Sequence, residues 1–363
     1  MPPSVRSARS APPAPTAPTG RAMLRNVGGG TALSVEFDVR TAFDFAISLA
    51  KEVGEHDELP EDDRRWLERA RAGLPAVVRP AVDEDVCIFA AGLLVDHPEI
   101  LDAAGLVALV GGVPASAFVD LVLADSLRDP ERREETGAAR DGDPAAIEAV
   151  LAAWPEEKHD WVGRLFRDPA GLMGEITALL QAWLPLYQEI EPRVRTIIRR
   201  DADLRARDRA TLGPTELIER TTNGIRWLSE PGLRRVVLAP SYLARPYNFT
   251  FAGGDWRMFV YPVLDNALEP HDPLAPPQGV LRLHRALGDA SRLRILRLLR
   301  DRDWYLTEIA ERLELSKPTI KHHLAQLRAA GLVTLTEEGG LSWYSLRRDR
   351  LDDASSELKR FLI

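Results

Sequence analysis

The residues with the most legible chemistry run from Ser316 to Gln326 and read Ser-Lys-Pro-Thr-Ile-Lys-His-His-Leu-Ala-Gln. On a helix at about 100° per residue with Ile320 at zero, Leu324 falls at about 40°, Leu327 at about −20° and Gly331 at about 20°. That is one narrow stripe for burial. The opposite face holds Pro318, His322, Ala325 and Ala329, with Thr319, Lys321 and Gln326 at its edges. Small residues at 325 and 329 allow close approach, and the Gln326 amide offers the donor and acceptor that an adenine edge requires. Ser316, Lys317, Thr319 and Lys321 are placed to reach phosphates or bases. His323, at about −60°, lies beside the buried stripe and reads as structural.

The elements that must position this face are also written in the sequence. Ser316 is a good N-cap, and Pro318 is tolerated in a first turn whose amides have no intrahelical partner. Before it stand the short helical run Leu306–Leu313, with Thr307 as its expected cap, and a tight turn at Glu314-Leu315, so a helix-turn-helix is predicted. After Gly331 come the strand Leu332–Thr336, a turn at Glu337-Glu338-Gly339-Gly340 and the strand Leu341–Leu346, which complete a winged helix. Glu337 and Glu338 at the expected wing tip would repel phosphate, leaving wing contacts to Arg347 and Arg348. A helix from about Asp349 to Leu362 lines up Leu351, Ala354, Leu358 and Phe361, an apolar row expected to form a dimer interface.

Two runs, Ala286-Leu287-Gly288-Asp289-Ala290-Ser291-Arg292-Leu293-Arg294-Ile295-Leu296 and Leu315–Leu324 with Leu327, Ala330, Gly331, Leu332 and Val333, resemble the ArsR/SmtB family of bacterial winged-helix transcriptional regulators. The resemblance covers about 84 residues. It implies a cytoplasmic homodimer whose first and last module helices form the interface, with the recognition helix in the major groove of double-stranded DNA. The family's metal sensors carry cysteines near the first helix of the motif, where this chain has Asp303-Trp304-Tyr305-Leu306, or Asp and His on the last helix, where it has Asp349, Asp352, Asp353 and Glu357 without His. Without thiolate or imidazole, no metal site and no cofactor is expected.

Other constellations speak for no chemistry. Seven arginines between Arg193 and Arg209, interleaved with Asp201, Asp203 and Asp208, read as a solvated helical face with internal pairs. Gly28-Gly29-Gly30 lacks the strand and spacing of a nucleotide loop. No two of His56, His97, His159 and His271 share an i, i+4 spacing, so no catalytic residues are nominated. Trp154, Trp161, Phe166, Trp183, Tyr187 and Trp227 belong to a core or, less often, an apolar pocket.

The chain has 363 residues with a net charge of −8, 45% hydrophobic and 28% charged, which excludes a wholly disordered or rod-like molecule. The charge is uneven: residues 280–363 carry 16 Lys and Arg against 12 Asp and Glu, leaving 31 against 43 before them. A lone cysteine, Cys87, permits no internal disulfide and suits a reducing cytoplasm. The apolar run Ala103–Val119 holds Gly111, Gly112 and Pro114 and is too short to span a membrane. The fold class expected is mainly α (α+β), a helical N-terminal domain with a small antiparallel hairpin or sheet and a C-terminal winged helix-turn-helix. A Pro/Ala-rich disordered tail (1–30) precedes a mostly helical sensor or oligomerisation domain (31–264), with strands near 234–262 that include a two-residue hairpin at Gly253-Gly254. A Pro-rich linker (265–279) leads to the winged helix (280–363). The function expected is a sequence-specific DNA-binding regulator, a repressor acting on a palindromic operator, with a small-molecule or protein effector at the N-terminal domain. Two other readings of that domain stand beside it: an enzyme-derived unit, or a protein-interaction platform.

Overall fold

The computed structural model describes residues 33–54, 58–80, 89–154, 156–228, 232–268, 274, 276–338 and 341–363. The expected tail, Cys87, His56 and His271 lie outside them. Ser34–Phe37 forms strand β1, within the part that the sequence reads as mostly helical. Helices α1 (Thr41–Ile47) and α2 (Glu61–Gly73) follow, the second with Pro60 at its N-cap. The chain continues through α3 (Ala90–Leu93), α4 (Ala103–Gly112), α5 (Ala115–Val122), α6 (Ala124–Arg128), α7 (Arg133–Arg140), α8 (Pro144–Ala152) and α9 (His159–Arg167). Then come α10 (Pro169–Gln188), α11 (Glu191–Leu204), α12 (Ala206–Thr211) and α13 (Pro214–Thr221). Pro114 breaks the apolar run into α4 and α5, bent by 107°, and no single helix among the described residues is long and apolar enough to cross a membrane.

The longest of these helices, α10, is capped by Asp168, whose Oδ1 accepts from the Gly171 amide at 3.0 Å. Its Leu172, Ile176, Leu179, Leu180, Trp183 and Tyr187 recur at three- and four-residue spacing and are all fully buried. Trp161 is also in this core, and Trp227 in a smaller one, which places these expected aromatics in packing. Trp183 donates to Ser48 Oγ at 2.7 Å, and Tyr187 donates to Asp44 Oδ2 at 2.8 Å.

Four strands form the first sheet, in the order β1, β3 (Arg235–Ser241), β5 (Trp256–Pro262), β4 (Phe249–Ala252). The β1–β3 and β3–β5 pairings are parallel and only β4–β5 is antiparallel, so the expected small antiparallel sheet is a mixed one. The hairpin register also differs from expectation. Phe251 faces Met258 and Phe249 faces Val260, and the tight loop is Gly254-Asp255, closed by the Gly253 amide donating to Trp256 O at 3.0 Å. The shift is two residues, an even number, so the same side chains stay on the same face. Val237, Ala239, Met258 and Val260 enter the helical core while Val236, Leu238, Phe259 and Tyr261 form the smaller core with α13.

The arginine-rich stretch is less solvated than expected. Arg205 and Asp201 form a buried pair at 2.9 Å, with Arg205 stacked on the Tyr261 ring at 4.7 Å. Tyr261 OH and the Leu264 amide donate to the same Asp201 carboxylate at 3.0 and 2.8 Å.

The C-terminal module has its own core, built from α14 (Gln278–Leu287), α15 (Ala290–Leu299), α16 (Leu306–Leu313) and α17 (Lys317–Ala329). Strands β6 (Trp304–Tyr305), β7 (Val333–Glu338) and β8 (Leu341–Leu346) and helix α18 (Arg348–Leu362) complete it. Its sheet has a fourth strand that the sequence reading assigned to the helical half. That strand, β2 (Ile225–Trp227), pairs in parallel with β7, with Ile225 opposite Leu335 and Trp227 opposite Glu337. Residues Leu33–Ile363 accordingly form one compact unit.

Candidate nucleic-acid interface

Helix α17 begins at its Ser316 cap, whose Oγ accepts from the Thr319 amide at 3.2 Å and lies 2.7 Å from Thr319 Oγ1. Ile320, Leu324 and Leu327 are fully buried, the stripe the spacing predicted. Gly331 ends the helix at a positive φ of 74°. Helix α16 is capped two residues earlier than expected: Glu308 reaches back to the Tyr305 amide at 2.9 Å, and Thr307 lies inside the first turn.

Ser316, Lys317, Pro318, Thr319, Lys321 and His322 are all exposed, so the first two turns of α17 are open to a partner. The last two turns are not. Ala329 is buried, and Gln326 is half-buried, its Oε1 taken by Arg292 Nη1 and its Nε2 2.8 Å from His322 Nε2. The face that the sequence offered as continuous is therefore divided, with its N-terminal half outward. His323 is half-buried; its Nδ1 has no partner, and burial lowers its pKa although Asp289 works the other way.

The wing differs in one detail. Glu337 and Glu338 sit in β7, opposite Ser342 and Leu341, rather than in the turn. Arg347 and Arg348 leave β8 at the end away from Gly339-Gly340, at the base of the hairpin. Arg347 Nη1 lies 3.5 Å from Asn223 Oδ1, and Arg348 Nη2 donates to Arg300 O at 2.6 Å. On α18, Leu351 is 37% exposed and Leu358 and Phe361 are half-buried, with α14 packed alongside; the side chain of Ala354 is outside the described residues.

What closes the inner half of α17 is the N-terminal part of the chain. Asn223 Nδ2 donates to Ala329 O at 3.0 Å, capping the helix C-terminus from outside the module. Gly224, at φ 109°, lets the backbone approach β7: a Cβ there would stand 3.1 Å from Val333 O. On α14, Arg282 clamps Glu58 with three hydrogen bonds of 2.7 to 3.0 Å and reaches Asp265 at 3.3 Å. Arg245, 1% exposed, also donates to Asp265, at 2.6 Å. Burial pushes the Asp265 carboxyl up, but the charges of Arg245 and Arg282 more than offset it and hold it below the ordinary value. None of Glu58, Asn223, Arg245, Asp265 or Arg282 stood out in the sequence. The one available signal was Asn223-Gly224, a turn dipeptide directly before Ile225-Arg226-Trp227.

Chemically the site is a cationic, donor-rich helix end held rigidly above a small sheet, suited to noncovalent recognition of base edges and phosphates. Among the described residues no three of His, Cys, Asp and Glu gather as a metal site would require. A capped helix presented after a short helix and tight turn, with a two-stranded wing behind it, defines a winged-helix DNA-binding protein.

The comparisons agree. The bacterial regulatory protein arsR family matches residues 289–334. Over 78 residues the chain is 35% identical to the transcriptional repressor SdpR of Bacillus subtilis, covering 22% of this chain and 87% of SdpR. Over 82 residues it is 35% identical to the HTH-type transcriptional regulator KmtR of Mycobacterium tuberculosis, covering 22% of this chain and 63% of KmtR. The solved structure of HlyU from Vibrio cholerae aligns at 33% identity over 23% of this chain and 89% of that one, with a TM-score of 0.20. The chain belongs to the ArsR family of bacterial regulatory proteins and is a DNA-binding transcriptional regulator.

Proposed function

We propose that the protein acts in the cytoplasm as a homodimeric repressor that reads a palindromic operator and answers to an effector held by its N-terminal half. The observation that carries this reading is the exposure of Ser316, Lys317, Pro318, Thr319, Lys321 and His322 on a capped helix whose other side is locked into the core. In helix-turn-helix docking the N-terminal residues of the recognition helix meet the base edges, and this end is open here. Lys317, Lys321, Arg347 and Arg348 act as phosphate contacts, and His322 and Thr319 carry sequence preference, whereas Gln326, offered by the sequence as a base reader, is turned inward and held by Arg292. Leu351, Ala354, Leu358 and Phe361 on α18 meet their counterparts on a second copy. Two recognition helices on a two-fold axis enter successive major grooves, so half-site centres stand roughly 10 bp or a multiple apart. The sign is taken from the named functions of SdpR and of the arsenical resistance operon repressor of Staphylococcus aureus.

Footprinting on the chromosomal region upstream of the gene, followed by anisotropy titrations, tests the reading. His322→Ala is expected to cost about 1 to 3 kcal/mol on the preferred operator while random DNA is bound as before. A footprint without two-fold character, or equal losses on both DNAs, refutes the assignment.

A further inference from the structure

We propose that the cleft where α13 and the end of β5 meet α14 and α17 binds a small organic monoanion, a carboxylate carried on an apolar body of a few carbons. That the cleft takes such a molecule stands on its walls alone; that the molecule is the effector of the function proposed above rests on that reading.

The cleft has a volume of about 250 Å³. At roughly 30 Å³ for each water-sized unit it has room for about eight, so the occupant is small. Of the four arginines in its wall, two are committed to the fold. Arg245 donates to Val263 O at 3.0 Å and to Asp265 at 2.6 Å, and Arg282 holds Glu58 and Asp265. The other two keep donors in reserve. Arg205 is 4% exposed and gives its Nε to Asp201, while neither of its terminal nitrogens has a hydrogen bond to a described residue. Arg220 is exposed and forms no ion pair among the described residues; Glu219 beside it is taken by Arg226. Thr221 is 2% exposed, and its hydroxyl has no hydrogen bond to a described residue.

Polar groups so nearly buried are costly to leave without acceptors, and several of them lining one space call for an oxygen-bearing occupant. Water would satisfy the donors, but the charge favours an anion. Four guanidiniums meet three carboxylates, Asp201 on Arg205, Asp265 on Arg245 and Glu58 on Arg282, so one positive charge, that of Arg220, is left over. A carboxylate supplies both the acceptors and the missing charge, and such charge-assisted bonds are roughly twice as strong as neutral ones. The wall also includes Pro246, Pro262, Val263 and Leu264, apolar surface for the body of the molecule. A few placed polar groups on a largely apolar lining is the usual make-up of a small-molecule site.

Duplex DNA is the poorer occupant. Ala329, which also lines the cleft, is seven residues beyond His322, a rise of about 10 Å, at the end of α17 away from its exposed first turns. A sugar-phosphate backbone passing there does not reach Arg205 or Thr221, which are 4% and 2% exposed. The wall exists only where the two parts of the chain meet: Asn223 lines it and donates to Ala329 O at 3.0 Å, and Arg282 and Ala329 belong to the module. A bound molecule therefore favours the arrangement in which Asn223 meets α17 over any other. By linkage, DNA that discriminates between these arrangements changes the affinity for the molecule by the same factor as the molecule changes the affinity for DNA.

Calorimetric titration of the full-length protein with benzoate and 3-methylbutanoate, at ionic strength fixed with chloride, tests the site without any DNA present. Benzamide, which lacks the charge, and inorganic phosphate, which lacks the apolar body, are titrated beside them. Saturable binding of at least one carboxylate, one per chain, is expected, and both comparison molecules should bind about tenfold more weakly or worse. Arg220→Gln should weaken carboxylate binding about tenfold or more, and Thr221→Val by about 2- to 12-fold. Arg207→Gln, exposed on α12 outside the cleft, should leave it unchanged. Absence of saturable binding by both carboxylates, benzamide or inorganic phosphate bound as tightly as they are, or equal effects of Arg220→Gln and Arg207→Gln each overturns the proposal. So does an Arg220→Gln protein that keeps its carboxylate affinity but shows a shallower salt slope on DNA, which would make the rim of the cleft a backbone contact. Anisotropy titrations with and without saturating carboxylate should then show operator affinity changed by about 5- to 150-fold, the usual range of such couplings. If the carboxylate binds as described and operator affinity is indifferent to it, the site stands and its assignment as the effector site falls.

Discussion

Replacing Arg282 by Met keeps the length and apolar stem of the side chain and removes only the charged head. Glu58 then loses its described partner while remaining 4% exposed; Asp265 keeps Arg245. Breaking a buried pair from one side costs about 3 to 5 kcal/mol, because the remaining charge is left in low dielectric without compensation. Arg282 is itself 18% exposed, so water reaches the pair and the lower end, about 3 kcal/mol, is expected. If that charge is the cause, neutralising it must help: Arg282→Met with Glu58→Gln should recover about half of the loss. Urea unfolding at pH 7, followed by tryptophan fluorescence, measures both proteins. A single variant that loses less than about 1 kcal/mol, or a double variant no better than the single, would show that the clamp contributes no net stability and that this junction is held by packing alone.

Gly224→Ala attacks the same junction from its other end. A residue with φ of 109° and a Cβ 3.1 Å from Val333 O should cost about 1 to 3 kcal/mol and loosen β2 from β7, seen as faster amide exchange at Leu335. Residues 280–363 produced alone lose β2 and expose the edge of β7, and should be less stable than the same module in the whole chain and more prone to associate, which light scattering against the full-length protein will show. Lys317→Ala and Lys321→Ala should each make the salt dependence of DNA binding shallower by roughly one ion, on specific and random DNA alike. His323 has a folded-state pKa below its ordinary 6.5 because of burial, so folding opposes its protonation. The stability it allows is complete above that value and is lost as the pH falls through it, and His323→Gln should flatten this part of the stability profile.

The recognition helix was legible because everything that specifies it is local. Ser316, Pro318 and the Ile320–Leu324–Leu327 spacing lie within a dozen residues, and each acts through its own turn of helix. Strands β1 and β2 were not, because four and three residues are too few to show a period of two against a helical background. Ile225 and Trp227 show alternation only once Leu335 and Glu337 are beside them, more than a hundred residues later. The hairpin was found with the correct face and a register two residues out, since the apolar pattern fixes parity and only turn geometry fixes the loop. Buried charges were the hardest to foresee. Nothing in the composition near Glu58, Asp201 or Arg245 distinguishes them from surface charges; only their distant partners do.

These non-local contacts change what the recognition helix is. Its outward half ends at His322, and its inward half, from Gln326 to Ala329, is turned inward, held at the side by Arg292 of its own module and at the C-terminus by Asn223 of the N-terminal part. A helix is stiff over three turns, so a displacement of the inward half tilts or shifts the outward half with it. Coupling between the two parts of the chain therefore needs no hinge in the proline-rich segment: β2, paired into the wing sheet, and the Glu58–Arg282–Asp265 clamp already transmit position. A ligand that binds the N-terminal part can bias DNA binding only by its difference in affinity for two positions of this helix, and the contacts at Asn223 and Arg282 are where the two positions must differ.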